Sequence, residues 1–233
     1  MTMTTTTAVT WDTGATAKPG PMTVVHPERT VTDAELADVA AGTGLNGPFV
    51  ADLLVSGAAH ENMGVNLYTT LGAQTQNPMA QKQFAKFRED SRLAVGIYEE
   101  LMTQLGIPVG YISQVARMTE AMDAKLVEAF LLSGSADPMT KEVKGVEAVM
   151  LASTLCVANA SLLEQLCEGL DEGEAKTAMR AAVDQLAPVA AEHLEWAARM
   201  QHQMVLTQAN SALAQKAANL AEKLVGKVKD VLS

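Results

Sequence analysis

Little in this sequence points toward nucleic acid, toward an oxidising compartment or toward a β-sheet. Basic residues are scarce: 17 Lys and Arg stand against 27 Asp and Glu, a net charge of −10. Phosphate contacts need clustered cations, so no nucleic-acid partner is expected. Only two cysteines occur, Cys156 and Cys167. Eleven residues apart in one expected helix, they lie about 16 Å apart along its axis and cannot bridge each other. Two free thiols accord with a reducing compartment. The opening MTMTTTTAVTWDTG lacks the basic and apolar regions of a leader, and no apolar run reads as long enough to span a bilayer. A cytoplasmic location is the expectation. Clusters of β-branched residues at period two are missing throughout, and so are a nucleophile triad and a phosphate loop.

What is present is helical periodicity with regular punctuation. Residues 1–31, rich in Thr, Gly and Pro, read as a disordered arm. Thr32 and Glu35 have capping-box spacing and open a short helix. Further on, Asn46-Gly47-Pro48, Asn77-Pro78, Gly106-Ile107-Pro108, Asp137-Pro138 and the stretch from Gly169 to Gly173 each interrupt a long periodic segment with cap or breaker chemistry. The segments between, 48–76, 78–105, 110–133, 139–170 and 174–208, predict an all-α protein. Four of them are about 30 residues long, near 45 Å, the length of an antiparallel bundle helix. The breaks at Asn77-Pro78 and at Gly169 to Gly173 make two hairpins. The connection between them carries its own helix, with Val115, Met118, Met122, Leu126 and Ala129 on one face, and reads as a crossover.

Polar residues can then be assigned to faces at 100° per residue. Glu61 falls in the middle of the series Leu54, Ala58, Glu61, Val65, Tyr68. On the second helix Phe84, Phe87, Ala94, Ile97, Tyr98 and Leu101 turn Asp90 inward and leave Glu89 and Arg92 outside. The next long helix has no charge from Ala148 to Leu163, so it is expected to be the most buried, with Glu147 inward at the edge of that run. On the last helix Ala182, Leu186, Val189, Met200 and Met204 put His193 at the centre of the core face, Glu192 on the flank and Glu195 opposite. A Glu61–His193 pair would let both stay buried. His60 reads as a partly exposed neighbour on the rim, and Tyr68 and Tyr98 as structural hydroxyls near the centre.

Two helical hairpins joined by a long crossover, with an inward acid on three helices and an inward His on the fourth, resemble the ferritin-like superfamily of bacterioferritins, rubrerythrins and manganese catalases. The resemblance covers roughly residues 46–205. It is carried by HENMGVNLY, with Glu61 and a Tyr seven residues later, by LGIP closing the second helix, and by EHLEWAARM, similar to the bacterioferritin-type EHIDWLE. It implies a core able to hold one or two Fe or Mn ions, with Glu61, Asp90, Glu147 and His193 as the metal ligands. The family's Glu-x-x-His pairs fall on Asp90 with Leu93 and on Ala190 with His193. Three acids and one imidazole therefore stand where the family's dinuclear site has four and two.

Two functions are expected on these grounds. One is a non-catalytic ferritin-like protein whose acids and His193 hold the bundle's register while it acts in assembly or partner binding; the short ligand set favours this one. The other is an Fe- or Mn-binding oxidative metalloprotein handling iron, O₂ or peroxide at an atypical site. With a bundle at 32–208, residues 209–233 form a separate amphipathic helix. Its stripe of Leu213, Ala217, Leu220, Leu224, Val228 and Val231 has four- and three-residue steps. Four Lys against Glu222 and Asp230 give residues 211–233 a charge of +2, so residues 1–210 carry −12 of the total −10. The tail is expected to pack on the bundle, on another subunit or, last, on an anionic membrane; self-association into a homo-oligomer is the favoured outcome.

Overall fold

A computed structural model describes residues 36, 38–108, 110–132 and 137–209. The expected arm at 1–31, the capping box at Thr32 and the tail helix at 210–233 lie outside the described residues. Among those described, all regular structure is helical, in five long helices: α1 (Gly47–Gln74), α2 (Pro78–Gln104), α3 (Gln114–Leu132), α4 (Pro138–Glu168) and α5 (Glu174–Ala209). The expected boundaries agree to within two residues except at the start of α3, which begins four residues later.

Three of these helices begin as the sequence says they should. Asn46, Asn77 and Asp137 are extended, accept backbone N–H groups of the first turn with their side chains, and have a proline at one of the first two helical positions. The α1–α2 hairpin is held by a distant residue. One oxygen of Glu142, on α4, accepts hydrogen bonds from Thr75 Oγ1 (2.9 Å), Gln76 N (2.9 Å) and Asn77 N (3.1 Å). Asn77 N is shared with Thr75 Oγ1 at 3.2 Å, and the Glu142 carboxylate locks the turn of the first hairpin onto the second. Pro188 lies inside α5 without ending it.

The most extensive packing is within the hairpins α1–α2 and α4–α5, followed by α3 on α1 and then α2 on α5. At one end a cluster of Leu67, Leu71, Phe84, Phe87, Phe130 and Val149 closes the core. Helix α4 departs from expectation. It was to be the most buried helix, yet only 44% of its most apolar stretch is buried. Leu151, Leu155, Ala158 and Leu162, one stripe at helical spacing, are exposed. By length and composition alone α4 would also suffice to cross a membrane, contrary to the reading that no run is long enough.

Candidate functional site

The interior of the bundle contains a line of polar side chains drawn from all five helices. His60, on α1, is 4% exposed. Its Nδ1 lies 2.7 Å from Asp123 Oδ2 on α3, and its Nε2 lies 3.1 Å from the carbonyl oxygen of Ala152 on α4. A carboxylate and a carbonyl both accept, so the geometry suits the protonated imidazole, which donates from both ring nitrogens. Burial presses His60 toward the neutral form, but the Asp123 carboxylate outweighs it and raises the ring above its ordinary value.

The second histidine has the opposite balance. His193 Nε2 is 3.0 Å from Asp90 Oδ2, and its Nδ1 is 3.3 Å from the Tyr68 hydroxyl. A neutral ring satisfies both, donating to Asp90 and accepting from Tyr68. Burial lowers His193 below its ordinary value despite Asp90. Asp90 is itself lowered: burial pushes it up, but Lys86, 2.9 Å away, and His193 hold it ionised. Lys86 also reaches Glu192 at 2.9 Å, carrying the network to the surface. Phe87 stacks on the His193 ring, with centroids 3.8 Å apart, and Trp196 meets Phe87 edge-on.

Between the two histidines sits Glu61, which accepts from Ser91 Oγ at 3.0 Å. Gly64 makes this bond possible, because a Cβ there would lie 2.9 Å from Ser91 Oγ. Cys156 turns its thiol toward the same carboxylate. Burial first, and then Glu61, push that thiol well above its ordinary value, so it stays protonated and is no nucleophile. Tyr68 and Tyr98 are raised by burial and by charged neighbours that include Glu61, and stay as phenols.

Of the residues expected to share a site, the structure brings Asp90 and His193 into contact and buries Glu61 nearby with a different partner. The expected Glu61–His193 hydrogen bond is replaced by Glu61–Ser91 and His193–Asp90. Glu147 is a correction: it lies at the surface, bonded to Lys144 at 2.6 Å and to Gln201 at 3.3 Å. A lysine three residues back on the same helix supplies its partner outside, so nothing draws it in. His60 is a second correction, fully inside instead of on the rim. Asp123, Ser91 and Cys156 were missed. The signal for Asp123 was an acid in a helix whose other face was strongly apolar, which the apolar stripe masked.

That masking has a structural cause. Helix α3 turns Ala116, Thr119, Asp123 and Phe130 toward the bundle, with Thr119 Oγ1 2.6 Å from Ser56 Oγ. The apolar stripe of α3 looks largely outward. Met118 and Met122 are 65% and 68% exposed, and Val115 and Ala129 are also exposed. Beside it runs a groove of about 280 Å³ between α3 and α4, lined by Leu126, Ala129, Ala148 and Leu151 among others. Among the described residues, no three His, Cys, Asp or Glu side chains are grouped so that they could hold a metal ion. The chain matches no family model, no curated protein and no solved structure.

Proposed function

We propose that the chain is a ferritin-like four-helix bundle that acts without catalysis, in the cytoplasm, by self-association through the outer face of α3 and α4. One contrast carries this reading. Four ionisable groups of the interior, His60 with Asp123 and His193 with Asp90, are spent on one another, whereas Met118, Met122, Leu151 and Leu155 lie outside where no described element covers them. An apolar patch of this kind marks a protein interface more often than a bare surface. The test is the mass in solution by light scattering. The full chain should show concentration-dependent self-association that Met122→Glu with Leu151→Glu abolishes while helicity is kept. A mass that never exceeds one chain, or one unaffected by these substitutions, removes the reading.

A second reading keeps one observation in its favour. Glu61 is a buried carboxylate that accepts from Ser91, and among the described residues no basic side chain lies within ion-pair distance of it. A bound Fe or Mn ion would neutralise it, but Asp90 and His193 are not grouped with it to hold one, so both would have to turn from Lys86 and Tyr68 toward Glu61. Stoichiometric Fe or Mn in the purified protein, lost in Glu61→Ala, would support that; protein free of both after metal-replete growth would remove it.

A further inference from the structure

Helices α2 and α3 both pack on α1 but not on each other, so a flank of α1 lies open between them. The chain that joins them closes one end of this gap. Gly106 and Gly110, at φ of +79° and +80°, take left-handed conformations that other residues rarely adopt, and the Tyr111 hydroxyl donates to Asp52 Oδ1 of α1 at 2.6 Å. The result is a cleft of about 570 Å³, floored by α1, walled by α2 and α3, and bounded at that end by Ile107 and Tyr111. It shares no lining residue with the groove between α3 and α4.

The lining divides into an apolar body and an acidic rim. Val55, Ala58 and Ala59 of α1, Val95 of α2 and Ala116 of α3 form the body, and the two alanines keep the floor low where a larger side chain would fill it. Glu99 of α2 and Glu120 of α3 carry the charge from opposite walls, and among the described residues no Lys or Arg lines the cleft. Neither acid is fully occupied. The Glu99 carboxylate has no hydrogen bond or ion pair among the described residues, and Glu120 has only Arg117, at 3.7 Å. Thr103, by contrast, gives its hydroxyl to the Glu99 carbonyl at 2.8 Å.

We propose that this cleft binds a small organic amine, with the apolar part of the molecule on the alanine floor and the ammonium group at the Glu99 and Glu120 rim. The volume falls within the roughly 300–1,000 Å³ of small-molecule sites. The floor from Val55 to Asn62 runs only about 10 Å along α1, too short a stretch to seat a partner helix. An anion is opposed twice, by the two carboxylates and by the net charge of −10, which draws cations toward the chain. An uncharged molecule gains from the floor alone.

Three matched probes separate the floor from the charge: 4-phenylbutylamine, 4-phenylbutanol and 4-phenylbutyrate, each titrated calorimetrically into the full chain. The amine should bind at one site, the alcohol about fivefold more weakly, on the scale of exposed ion pairs, and the acid not measurably. Glu99→Gln with Glu120→Gln should bring the amine down to the affinity of the alcohol and leave the alcohol unchanged, and raising the salt to about 0.5 M should do the same. Ala58→Phe, which fills the floor, should abolish binding of both while helicity is kept. The two glutamine substitutions change only solvent-facing groups, so they test the charge even where Ala58→Phe fails to fold. Amine and acid bound alike, an amine affinity unmoved by the glutamine pair, binding that survives in a folded Ala58→Phe chain, or no saturable binding of the amine up to about 10 mM would each overturn the proposal.

Discussion

His60 and Asp123 join at 2.7 Å across α1 and α3, with the far side of the ring against the Ala152 carbonyl of α4. A single cation thus fastens the crossover helix to both hairpins. Removing it as His60→Gln leaves Asp123, whose side chain is only 13% exposed, without its counter-charge. The expected loss is about 3 kcal/mol, the lower end for breaking a buried pair, because Asp123 keeps some contact with water. Chemical unfolding would measure it. Hydrogen exchange should show α3 losing protection before α1 and α2, and a loss below about 0.5 kcal/mol would reject the ion pair.

The two histidines should give opposite pH dependences. His60 is raised above 6.5 in the folded chain, so its contribution is complete below that value and is lost as pH rises through its folded pKa. His193 is lowered below 6.5, so its contribution is complete above that value and is lost as pH falls through its folded pKa. The two windows meet near the ordinary value of 6.5, so in the parent chain the pair makes stability peak there. In His193→Gln the remaining slope should be a loss of stability as pH rises from 6 to 8, and in His60→Gln a loss as pH falls from 7 to 5. Urea midpoints across that range decide it, and slopes of the same sign in both variants would contradict the assignment.

The sequence made the helices legible because their starts are written in local chemistry. Asn46, Asn77 and Asp137 cap their own first turns, and each has a proline within the next two residues. The inward direction of Asp90 and His193 was legible too, since Phe84, Phe87 and Leu186 fix the core side within two turns of them. Helix α3 was not. Hydrophobic periodicity names the buried face only when the interior makes no polar demand, and here His60 and Ser56 on α1 require Asp123 and Thr119. Satisfying a buried cation outweighs covering Met118 and Met122. The pairing of Glu61 was hidden for a related reason: Ser91 reaches it only because Gly64 leaves the space.

The glycines of the first hairpin give a steric test. A Cβ at Gly57 would come within 2.6 Å of the Tyr98 ring, and one at Gly64 within 2.9 Å of Ser91 Oγ, whereas one at Gly96 would meet nothing within 4 Å. Alanine is the better helix former by about 0.8–1 kcal/mol, so Gly96→Ala should stabilise by roughly that amount. At Gly57 the same substitution overfills the core at a cost of about 1–3 kcal/mol, so Gly57→Ala should be destabilising on balance. Thermal or urea unfolding of the two variants checks this, and a gain at Gly57 equal to that at Gly96 would mean that α1 and α2 are less closely packed than described.

The Cys156 thiol tests whether Glu61 acts as a charge inside the bundle. Burial, and after it the Glu61 carboxylate, raise the thiol well above its ordinary value. Because alkylation proceeds through the thiolate, iodoacetamide at pH 8 should modify Cys156 in the folded protein at least tenfold more slowly than in the unfolded chain. Burial alone would slow the reaction, so the rate by itself does not isolate Glu61. The pH profile does. Glu61→Gln keeps the shape and the hydrogen bond with Ser91 but removes the charge, and the alkylation profile should move to lower pH, with mass spectrometry separating Cys156 from the buried Cys167. An unmoved profile would mean that Glu61 is already uncharged in the folded chain. The polar interior would then be neutral at its centre, with its charge confined to the His60–Asp123 and Lys86–Asp90 pairs on either side.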